Sequence, residues 1–377
     1  MELKKILLFA DWYEPGFRAG GPIRSCVNFV RQMRDDYLIY VFTRDRDLGS
    51  ETAYPGISPD HWVTGGDQVM LFYCSPAKLT LGKIRSVLHE IDPDLIYLNS
   101  MFSRVFTIYP LLLSRSRNQI VLSPRGMLRQ SALRFKAAKK KIFLGLMRTG
   151  RISRRIQFHA VDDTERLDIL KEFGSSARIS QIPNFPGSMP DSPAPVQKRR
   201  GQLLLLFAGR IHPIKGLDFL LRVLQTVGAE VRLEIAGTLE DKHYWKQCQE
   251  LISRLPVKVS VVYRGEMPGE ELNQLIAAHH VFALPTQGEN FGHAILEALS
   301  LGRPVLISDQ TPWRGLREQR AGWDLPLNRP EQFSQAIEEA AGLDQDSFNQ
   351  WSQGAWQYAL NFRQSINIKA QYKILFS

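Results

Sequence analysis

Two successive alternations of short apolar segments with helix-forming segments restrict the fold of this chain more than any other feature of its sequence. The first includes Ile6–Ala10, Leu38–Phe42 and Leu95–Leu98, and the second runs from Leu203–Phe207 to Pro304–Ile307. Strands that are apolar on both faces and alternate with helices form parallel sheets with helices on both sides. We therefore predict an α/β chain with two Rossmann-like parallel-sheet domains facing each other across a ligand-binding cleft.

A polar, proline-rich stretch that begins near Ile182 separates the two alternations. The predicted division is an N-terminal domain over residues 1–184, a linker over 185–200, a C-terminal domain over 201–345 and a tail over 346–377. In the tail, Trp351, Ala355 and Tyr358 have helical spacing. Such a helix can pack anywhere, and its distance from the second sheet lets it cross back to the N-terminal domain.

Positive charge is concentrated in one segment of the chain. The formal net charge is +10, and residues 101–161 hold 14 Lys or Arg side chains and no Asp or Glu. Helical periodicity predicts a helix over Leu128–Met147, with Phe135, Ile142 and Leu146 facing inward. The opposite face then holds Arg129, Arg134, Lys140, Lys141 and Arg148. This face suits anionic lipid headgroups or a lipid-diphosphate acceptor, and a merely solvated surface is the alternative.

Three further patterns bear on partners and location. No nucleic-acid-binding signature accompanies the basic segment, so we expect no nucleic acid partner. The three cysteines, Cys26, Cys74 and Cys248, are far apart in sequence, which fits a reducing cytosol. No apolar segment reaches the ~18 residues of a membrane span. We predict a cytoplasmic protein that makes peripheral contact with the inner face of an anionic membrane through residues 125–155.

A cationic loop follows the first strand of the second alternation. The strand ends at Gly209, Arg210 and Lys215 follow within six positions, and a helix is predicted to begin near Gly216. Two cations at the carboxyl end of a strand, beside a helix N-terminus, suit a diphosphate. A pair of exposed cations with no ligand is the alternative interpretation.

An acidic pair lies further along the same half of the chain. Glu289 belongs to the loop after a strand, and Glu297 lies about one and a half turns inside the next helix. Gly288 and Gly292 allow a backbone to approach a ligand closely. A buried carboxylate needs partners, and sugar hydroxyls supply them. A helix-capping acid and a solvated glutamate are the alternative.

Gly20 and Gly21 form a turn between the first strand and the first helix. The turn lacks the G-x-G-x-x-G spacing, which argues against a nicotinamide dehydrogenase. Two adjacent glycines here suit a loop that contacts phosphate, and a simple tight turn is equally compatible.

Together these motifs resemble those of the retaining glycosyltransferases of family 4, which have the GT-B fold of two Rossmann-like domains. The family carries G-G after the first strand, then G-R-x(4)-K-G, matched by Gly209-Arg210 and Lys215-Gly216. It also carries E-x(7)-E, matched by Glu289 and Glu297, and then E-A-x-x-x-G-x-P-V, matched by residues 297–305. The segments 123–128 and 308–313 look like a bacterial surface-polysaccharide subgroup.

The resemblance implies that residues 1–184 form the acceptor-side domain, that 201–345 bind the donor nucleotide and that the tail 346–377 returns to the first domain. It also implies roles for individual residues. Arg210 and Lys215 would hold the diphosphate of a nucleotide-sugar donor, Glu289 would contact the donor sugar, and these three would act in catalysis. Glu297 would bind the ribose. The remaining donor-binding residues implied are Gly20, Gly21, Arg125, Gly209, Gly265, Met267, Asn290, Phe291 and Gly292. The family works without a bound divalent metal, so neither a metal nor another cofactor is expected.

The resemblance also implies a mechanism that retains the anomeric configuration, in which the leaving phosphate takes the proton of the acceptor. One departure concerns Arg125-Gly126, where many members have His-Gly. Arginine has no acceptor for a proton but can bind phosphate or an anionic sugar. Either no base is needed, or a substrate is acidic, or another group such as His159 serves; a satisfied core histidine is the alternative for His159.

We therefore expect a glycosyltransferase that moves a sugar from a UDP- or GDP-sugar to a glycan acceptor, lipid-linked, in bacterial surface-polysaccharide synthesis. Two other classes remain open at this point. One is a nucleotide-sugar epimerase or a phosphorylase-like enzyme with the same fold. The other is a basic protein that binds lipid or nucleic acid.

Overall fold

A computed structural model describes residues 3–133, 137–149 and 152–377. The chain divides into two compact units. Unit 1 contains the residues up to Phe185 together with Asn367–Ser377, and unit 2 contains Pro186–Ile366.

In unit 1, the described residues form one sheet of eight strands in the order β3-β4-β2-β1-β5-β6-β7-β8. The strands are β1 Lys5–Phe9, β2 Leu38–Arg44, β3 Trp62–Gly66, β4 Val69–Cys74, β5 Leu95–Leu98, β6 Gln119–Leu122, β7 Ile156–Ala160 and β8 Arg178–Gln181. All neighbours pair in parallel except β3 and β4. Residues 6–9 of β1 and all of β5 are buried, as expected for central strands covered on both faces.

Helices connect these strands. They are α1 Gly21–Met33, α2 Leu81–Ile91, α3 Tyr109–Leu113, α4 Gln130–Leu133, α5 Ala137–Thr149 and α6 Asp163–Phe173, and α13 Ile368–Leu375 at the end of the chain also belongs to unit 1. Local sequence sets several of their starts. Thr80 caps α2 by accepting from the Lys83 N–H, and Asp162 caps α6 by accepting from the Glu165 N–H.

In unit 2, the described residues form a parallel sheet of six strands in the order β11-β10-β9-β12-β13-β14. The strands are β9 Gln202–Ala208, β10 Glu230–Ala236, β11 Val259–Gly265, β12 Val281–Leu284, β13 Val305–Ser308 and β14 Gly322–Leu325. The helices are α7 Leu217–Leu224, α8 Lys242–Ile252, α9 Gly269–Ala277, α10 His293–Ser300, α11 Pro330–Gly342 and α12 Gln345–Ser365. Helices therefore alternate with strands as the apolar pattern predicts.

The basic segment differs from the prediction of one helix over 128–147. Helix α4 begins at Gln130 rather than Leu128, and Arg134 and Phe135 lie outside the described residues. The predicted inward side of the second part is wrong, because Ile142 and Leu146 are 64% and 61% exposed. Leu144 and Met147 are buried instead. Both stripes are apolar at helical spacing, and only the packing of α5 against the core of unit 1 selects between them.

The predicted outward face of this segment is also mixed. Lys141 and Arg148 are exposed, but Arg129 is half-buried beside Asp162, and Lys140 lies over the Phe102 ring. No helix in the described part of the chain is long and apolar enough to cross a lipid bilayer.

The end of the chain is shared between the units. Helix α12 belongs to unit 2, where Trp351 stacks on Trp323 with ring centroids 4.4 Å apart. Only residues 367–377 belong to unit 1, where Tyr372 stacks on Phe185 at 4.7 Å. We expected the whole stretch 346–377 to return to the first domain, but this division assigns only residues 367–377 to unit 1. Large aromatic side chains anchor α12 in unit 2.

Candidate functional site

The cationic loop of unit 2 lies at the carboxyl edge of its sheet, directly after β9. Gly209 directly follows the strand, and Pro213–Lys215 form a single tight turn that stops at Gly216 in the left-handed region, with φ of 72°. A Cβ at Gly216 would overlap the carbonyl oxygen of Pro285. Glycine at 216 therefore lets this turn pack against the segment that follows β12.

The two predicted motifs of unit 2 meet at this point. The Ile214 carbonyl accepts from the Gln287 N–H at 2.7 Å and from the Thr286 hydroxyl at 2.9 Å. Lys215 Nζ forms an ion pair with Glu289 Oε1, and the two side chains are only 15% and 14% exposed. Strands β9 and β12 are neighbours, and the strand order reverses at β9. Ligands of parallel α/β sheets bind at the carboxyl ends of strands at such a reversal.

Arg210 lies on the same loop but in a more open position. Its Nη1 is 2.6 Å from Glu240 Oε2, and both side chains are more than a third exposed. An exposed ion pair is worth little and exchanges readily for another anion. Arg210 and Lys215 are thus two cations, each held by a carboxylate, on one loop.

The segment around α10 presents backbone as well as side chains. Gly292 precedes the helix with φ of 76°, and a Cβ there would press on Ile295 and Trp313. Glu297 is half-buried in the second turn of α10, and Asn290 is also half-buried. Phe291 is 5% exposed and packs on Trp313 and Phe362, so its side chain is part of the core of unit 2. Its carbonyl accepts from Trp313 Nε1 at 2.7 Å.

The loop after β11 lies at the same edge of the sheet. Gly265 has φ of 79° and accepts from the Gly237 N–H at 2.8 Å, and Met267 is half-buried. A Cβ at Gly237 would overlap the carbonyl oxygen of Gly209, so Gly237 permits β9 and β10 to end side by side. Sequence reasoning missed Gly237 and Glu240. Gly237 could have been identified because it directly follows a buried apolar strand.

In unit 1, the glycine turn begins α1, at the end of the segment that connects it to β1. Gly20 has φ of 64° and its carbonyl accepts from the N–H groups of Ile23 and Arg24, while Gly21 is exposed. The chain before it is anchored by Asp47, whose Oδ2 accepts from the N–H groups of Phe17 and Arg18 at 2.7 and 3.0 Å. The turn therefore has a fixed base and a tip that is open to a ligand.

Arg125 faces the interior of unit 1. Its Nε donates to Asn99 Oδ1 at 3.1 Å and its Nη2 to the Tyr97 hydroxyl at 3.2 Å, and Nη1 donates to Asn184 Oδ1. Its φ of 55° is unusual for a residue with a side chain and costs about 1–3 kcal/mol. The guanidinium is thus hydrogen-bonded to neutral groups of the protein. These contacts favour a structural role for Arg125 over the contact with the sugar donor that the resemblance implies.

His159 belongs to the same buried network. Its Nε2 donates to the Ile182 carbonyl at 2.8 Å, so its Nδ1 accepts from the Tyr97 hydroxyl at 2.7 Å. Burial above all, together with the nearby charge of Arg125, lowers the pKa of His159 to about 3. His159 is fully buried, and both of its ring nitrogens form hydrogen bonds. This arrangement fits the alternative interpretation of His159 as a core histidine whose hydrogen bonds are satisfied.

Comparison with known proteins places these features in context. Residues 202–342 match the family model described as "Glycosyl transferases group 1". This stretch is a little over a third of the chain, and it contains Arg210, Lys215, Glu289 and Glu297. O-antigen chain mannosyltransferase B from Escherichia coli is 32% identical over 162 residues, which are 40% of this chain and 42% of that protein. The chain spans less than half the length of the curated relatives that it matches first.

Two solved structures align over nearly the whole chain. One is the Anabaena protein HepE in complex with UDP and glucose, at a TM-score of 0.69, 18% identity and 99% coverage of both chains. The other is sucrose-phosphate synthase from Thermosynechococcus elongatus, at a TM-score of 0.70 and 17% identity, covering 100% of this chain and 98% of that one. With two parallel-sheet α/β units, the chain has the GT-B fold.

Proposed function

We propose that this protein is a glycosyltransferase that moves a sugar from a nucleoside diphosphate sugar, UDP- or GDP-linked, to a glycan acceptor. The observation that carries the proposal is the coincidence of two findings. The stretch that matches the glycosyltransferase model contains both the cationic loop and the acidic pair, and the fold brings these together at the carboxyl edge of one sheet.

Arg210 and Lys215 supply the chemistry that this reaction needs most. When the bond between the anomeric carbon and the diphosphate oxygen breaks, negative charge grows on the leaving group, and positioned cations stabilise it. Lys215 exchanges its ion pair with Glu289 for the diphosphate, which frees the carboxylate for the donor sugar. Glu297 binds the ribose hydroxyls. These charges make a divalent metal unnecessary, so transfer continues in the presence of a chelator.

The reaction retains the anomeric configuration. The acceptor hydroxyl attacks the anomeric carbon on the face from which the diphosphate leaves, and its proton passes to the departing phosphate oxygen. The bond to the phosphate oxygen breaks and a new glycosidic bond forms. His159 takes no part, since both of its ring nitrogens are engaged within the core.

The acceptor is a lipid-linked glycan of bacterial surface-polysaccharide synthesis. The similarity to O-antigen chain mannosyltransferase B from Escherichia coli supports this class. Helix α5 supports the location at the inner face of a membrane. It exposes Ile142 and Leu146 one turn apart, and Lys141 and Arg148 are also exposed on this helix, with Arg148 paired to Glu172. A helix that exposes both an apolar pair and cations suits the interface of an anionic bilayer.

A transfer assay tests the function. The full chain is incubated with UDP-glucose, UDP-galactose, UDP-N-acetylglucosamine or GDP-mannose, each labelled in the sugar, with and without lipid-linked glycans extracted from bacterial membranes. The proposal predicts acceptor-dependent transfer of label from one donor to the lipid fraction, with the anomeric configuration of the donor retained in the product by NMR. Conversion of a donor to its epimer, or cleavage that depends on free phosphate, would instead identify an epimerase or a phosphorylase.

A further inference from the structure

One buried hydroxyl group lies between the two loops that carry Lys215 and Glu289. It belongs to Thr286, which follows the end of β12 by two positions and is fully buried. A hydroxyl at this depth has no surface for a ligand to contact. Any effect of Thr286 on the reaction must therefore pass through the groups to which it is hydrogen-bonded.

The Thr286 hydroxyl is hydrogen-bonded to both loops at once. Its Oγ1 donates to the Ile214 carbonyl at 2.9 Å and accepts from the Gly288 N–H at 3.2 Å, and the Gly288 carbonyl is a second acceptor at 3.1 Å. Ile214 directly precedes Lys215, and Gly288 directly precedes Glu289. A hydroxyl can donate and accept together, so one side chain sets the separation of the two backbone segments from which the ion pair extends.

A second buried hydroxyl group holds the same segment from the neighbouring strand. Ser308 ends β13, is fully buried and donates to the Thr286 carbonyl. Its Oγ accepts from the Gln310 N–H at 3.3 Å, and the Gln310 carbonyl accepts from the Glu289 N–H at 3.1 Å. The backbone of Glu289 is therefore held by β13 as well as by the loop of Lys215.

The side chain of Lys215 is also confined near its backbone. A Cβ at Gly209 would lie 3.9 Å from Cγ and from Cδ of Lys215, so the apolar stem of the lysine runs past the end of β9. The ammonium and the Glu289 carboxylate are then 15% and 14% exposed. With the stem confined in this way, the place of the ammonium relative to the carboxylate depends on how the two loops are joined.

We infer that Thr286 is a positioning residue for sugar transfer. Its hydroxyl fixes the separation of the Lys215 and Glu289 loops, so that the lysine reaches the leaving diphosphate while the carboxylate faces the donor sugar. The attraction between a cation and the charge that grows on the diphosphate depends on their distance, so a loosened loop slows the reaction. Naming the reaction a sugar transfer rests on the proposed function.

Transfer kinetics of Thr286→Val and Thr286→Ser test the inference. Valine keeps the shape of threonine without its hydroxyl, and serine keeps the hydroxyl without the methyl group. We expect Thr286→Val to lower turnover at saturating donor about tenfold, because a displacement of about 1 Å costs up to about a hundredfold. Thr286→Ser should stay within about threefold of the wild type. The dissociation constant of UDP or GDP in calorimetry should change by less than about threefold, because the Lys215 charge remains in the site.

Thr226→Val is the matched control. Thr226 is an exposed residue of unit 2 that follows α7, and its hydroxyl also donates to a backbone carbonyl, that of Val223, at 2.8 Å. Its turnover should equal that of the wild type. Where Thr286→Val does not fold, Ser308→Ala takes its place and should lower turnover at least about threefold.

Unfolding measurements separate positioning from stability alone. A hydroxyl with a purely structural role would lower the melting temperature of Thr286→Val and leave the turnover of the folded enzyme unchanged. That result would overturn the inference, as would unchanged turnover in folded Ser308→Ala. Equal slowing by Thr286→Val and Thr286→Ser would also overturn it, because the shape of the side chain and not its hydroxyl would then matter.

A double-mutant cycle provides a measurement that needs no transfer activity. The coupling between Lys215→Ala and Glu289→Ala is measured by urea unfolding, first in the wild-type background and then together with Thr286→Val. We expect the coupling to fall by at least half without the Thr286 hydroxyl, and equal coupling in both backgrounds would overturn the inference. Lost coupling in a chain that binds no nucleotide and transfers no sugar would keep the positioning role of Thr286 and contradict the proposed function.

Discussion

Replacing Lys215 by Ala should slow turnover at saturating donor by at least about tenfold, and a value near thirtyfold follows from the structure. The side chain of Lys215 is 15% exposed, so its charge is screened less than that of a surface lysine. At about 4 Å and an effective dielectric constant of about 20, an ammonium and a full negative charge attract by about 4 kcal/mol. If about half of that charge develops on the leaving group in the transition state, the loss is about 2 kcal/mol, or about thirtyfold in rate.

The assay measures release of the nucleoside diphosphate over a range of donor concentrations, because only the turnover number reports the charge that grows during the reaction. Lys215→Arg keeps the charge and should recover part of the rate. Lys246→Ala, an exposed lysine of α8, is the matched control and should leave the rate unchanged. Arg210→Ala should also lower turnover at least about tenfold. Turnover of folded Lys215→Ala within twofold of the wild type would refute the assigned diphosphate site.

Three further predictions concern stability and membrane contact. Gly237→Ala should lower the free energy of unfolding in urea by more than Gly265→Ala does. A Cβ at 237 would overlap the Gly209 carbonyl, whereas a Cβ at 265 would meet no atom within 4 Å. Equal losses of stability in the two variants would contradict the close packing of β9 and β10. Burial and the charge of Arg125 lower the pKa of His159 to about 3, so only the unfolded chain takes up a proton at this residue as the pH falls below about 6.5. The free energy of unfolding therefore falls as the pH is lowered. Between about pH 7 and pH 5, the free energy of unfolding of His159→Gln should therefore fall by about 2 kcal/mol less than that of the wild type. The free energy of unfolding of His243→Gln, at an exposed histidine, should fall as much as that of the wild type. The double variant Ile142→Ser, Leu146→Ser should bind anionic vesicles more weakly than the wild type in a co-sedimentation assay. Val257→Ser, which changes an exposed apolar residue of unit 2, should bind as the wild type does. Equal binding by all variants would mean that α5 is a solvated surface.

The central strands of both sheets could be predicted from the sequence because their signal is local. Four or five consecutive apolar residues, as in β5 and β12, are buried on both faces and appear as such in the sequence. The edge strands β3 and β8 and the terminal strand β14 were not predictable in this way, because they are short and largely polar or half-exposed. β4 is apolar and follows β3 after only two residues, and sequence reasoning missed it.

The rotation of α5 shows a different limit. Its sequence offers one apolar stripe with Ile142 and Leu146 and another with Leu144 and Met147, and periodicity alone does not rank them. Packing against the core buries the second stripe and exposes the first. The prediction of the buried face was wrong, and the pair that it placed inside is the exposed pair on which the proposed membrane contact depends.

The candidate site was predictable where spacing within one loop sets the geometry, as for Arg210 and Lys215. Partners that arrive from distant segments were not predictable. The pairing of Lys215 with Glu289 joins residues 74 positions apart, and Arg125 meets Asn99 across 26 and Asn184 across 59. These contacts depend on which strands are neighbours in the sheet, and this order is a property of the whole fold.

Binding of nucleoside diphosphates to the wild type and to Glu297→Ala tests the central claim most directly. A thermal-shift panel with UDP, GDP, ADP, CDP and CMP suffices, because a ligand at about 100 times its dissociation constant stabilises the folded state by about 2.7 kcal/mol. The account predicts selective stabilisation of the wild type by one diphosphate and loss of that effect in Glu297→Ala. Stabilisation of neither protein by any nucleotide, or equal stabilisation of both, would contradict the donor site assigned to unit 2.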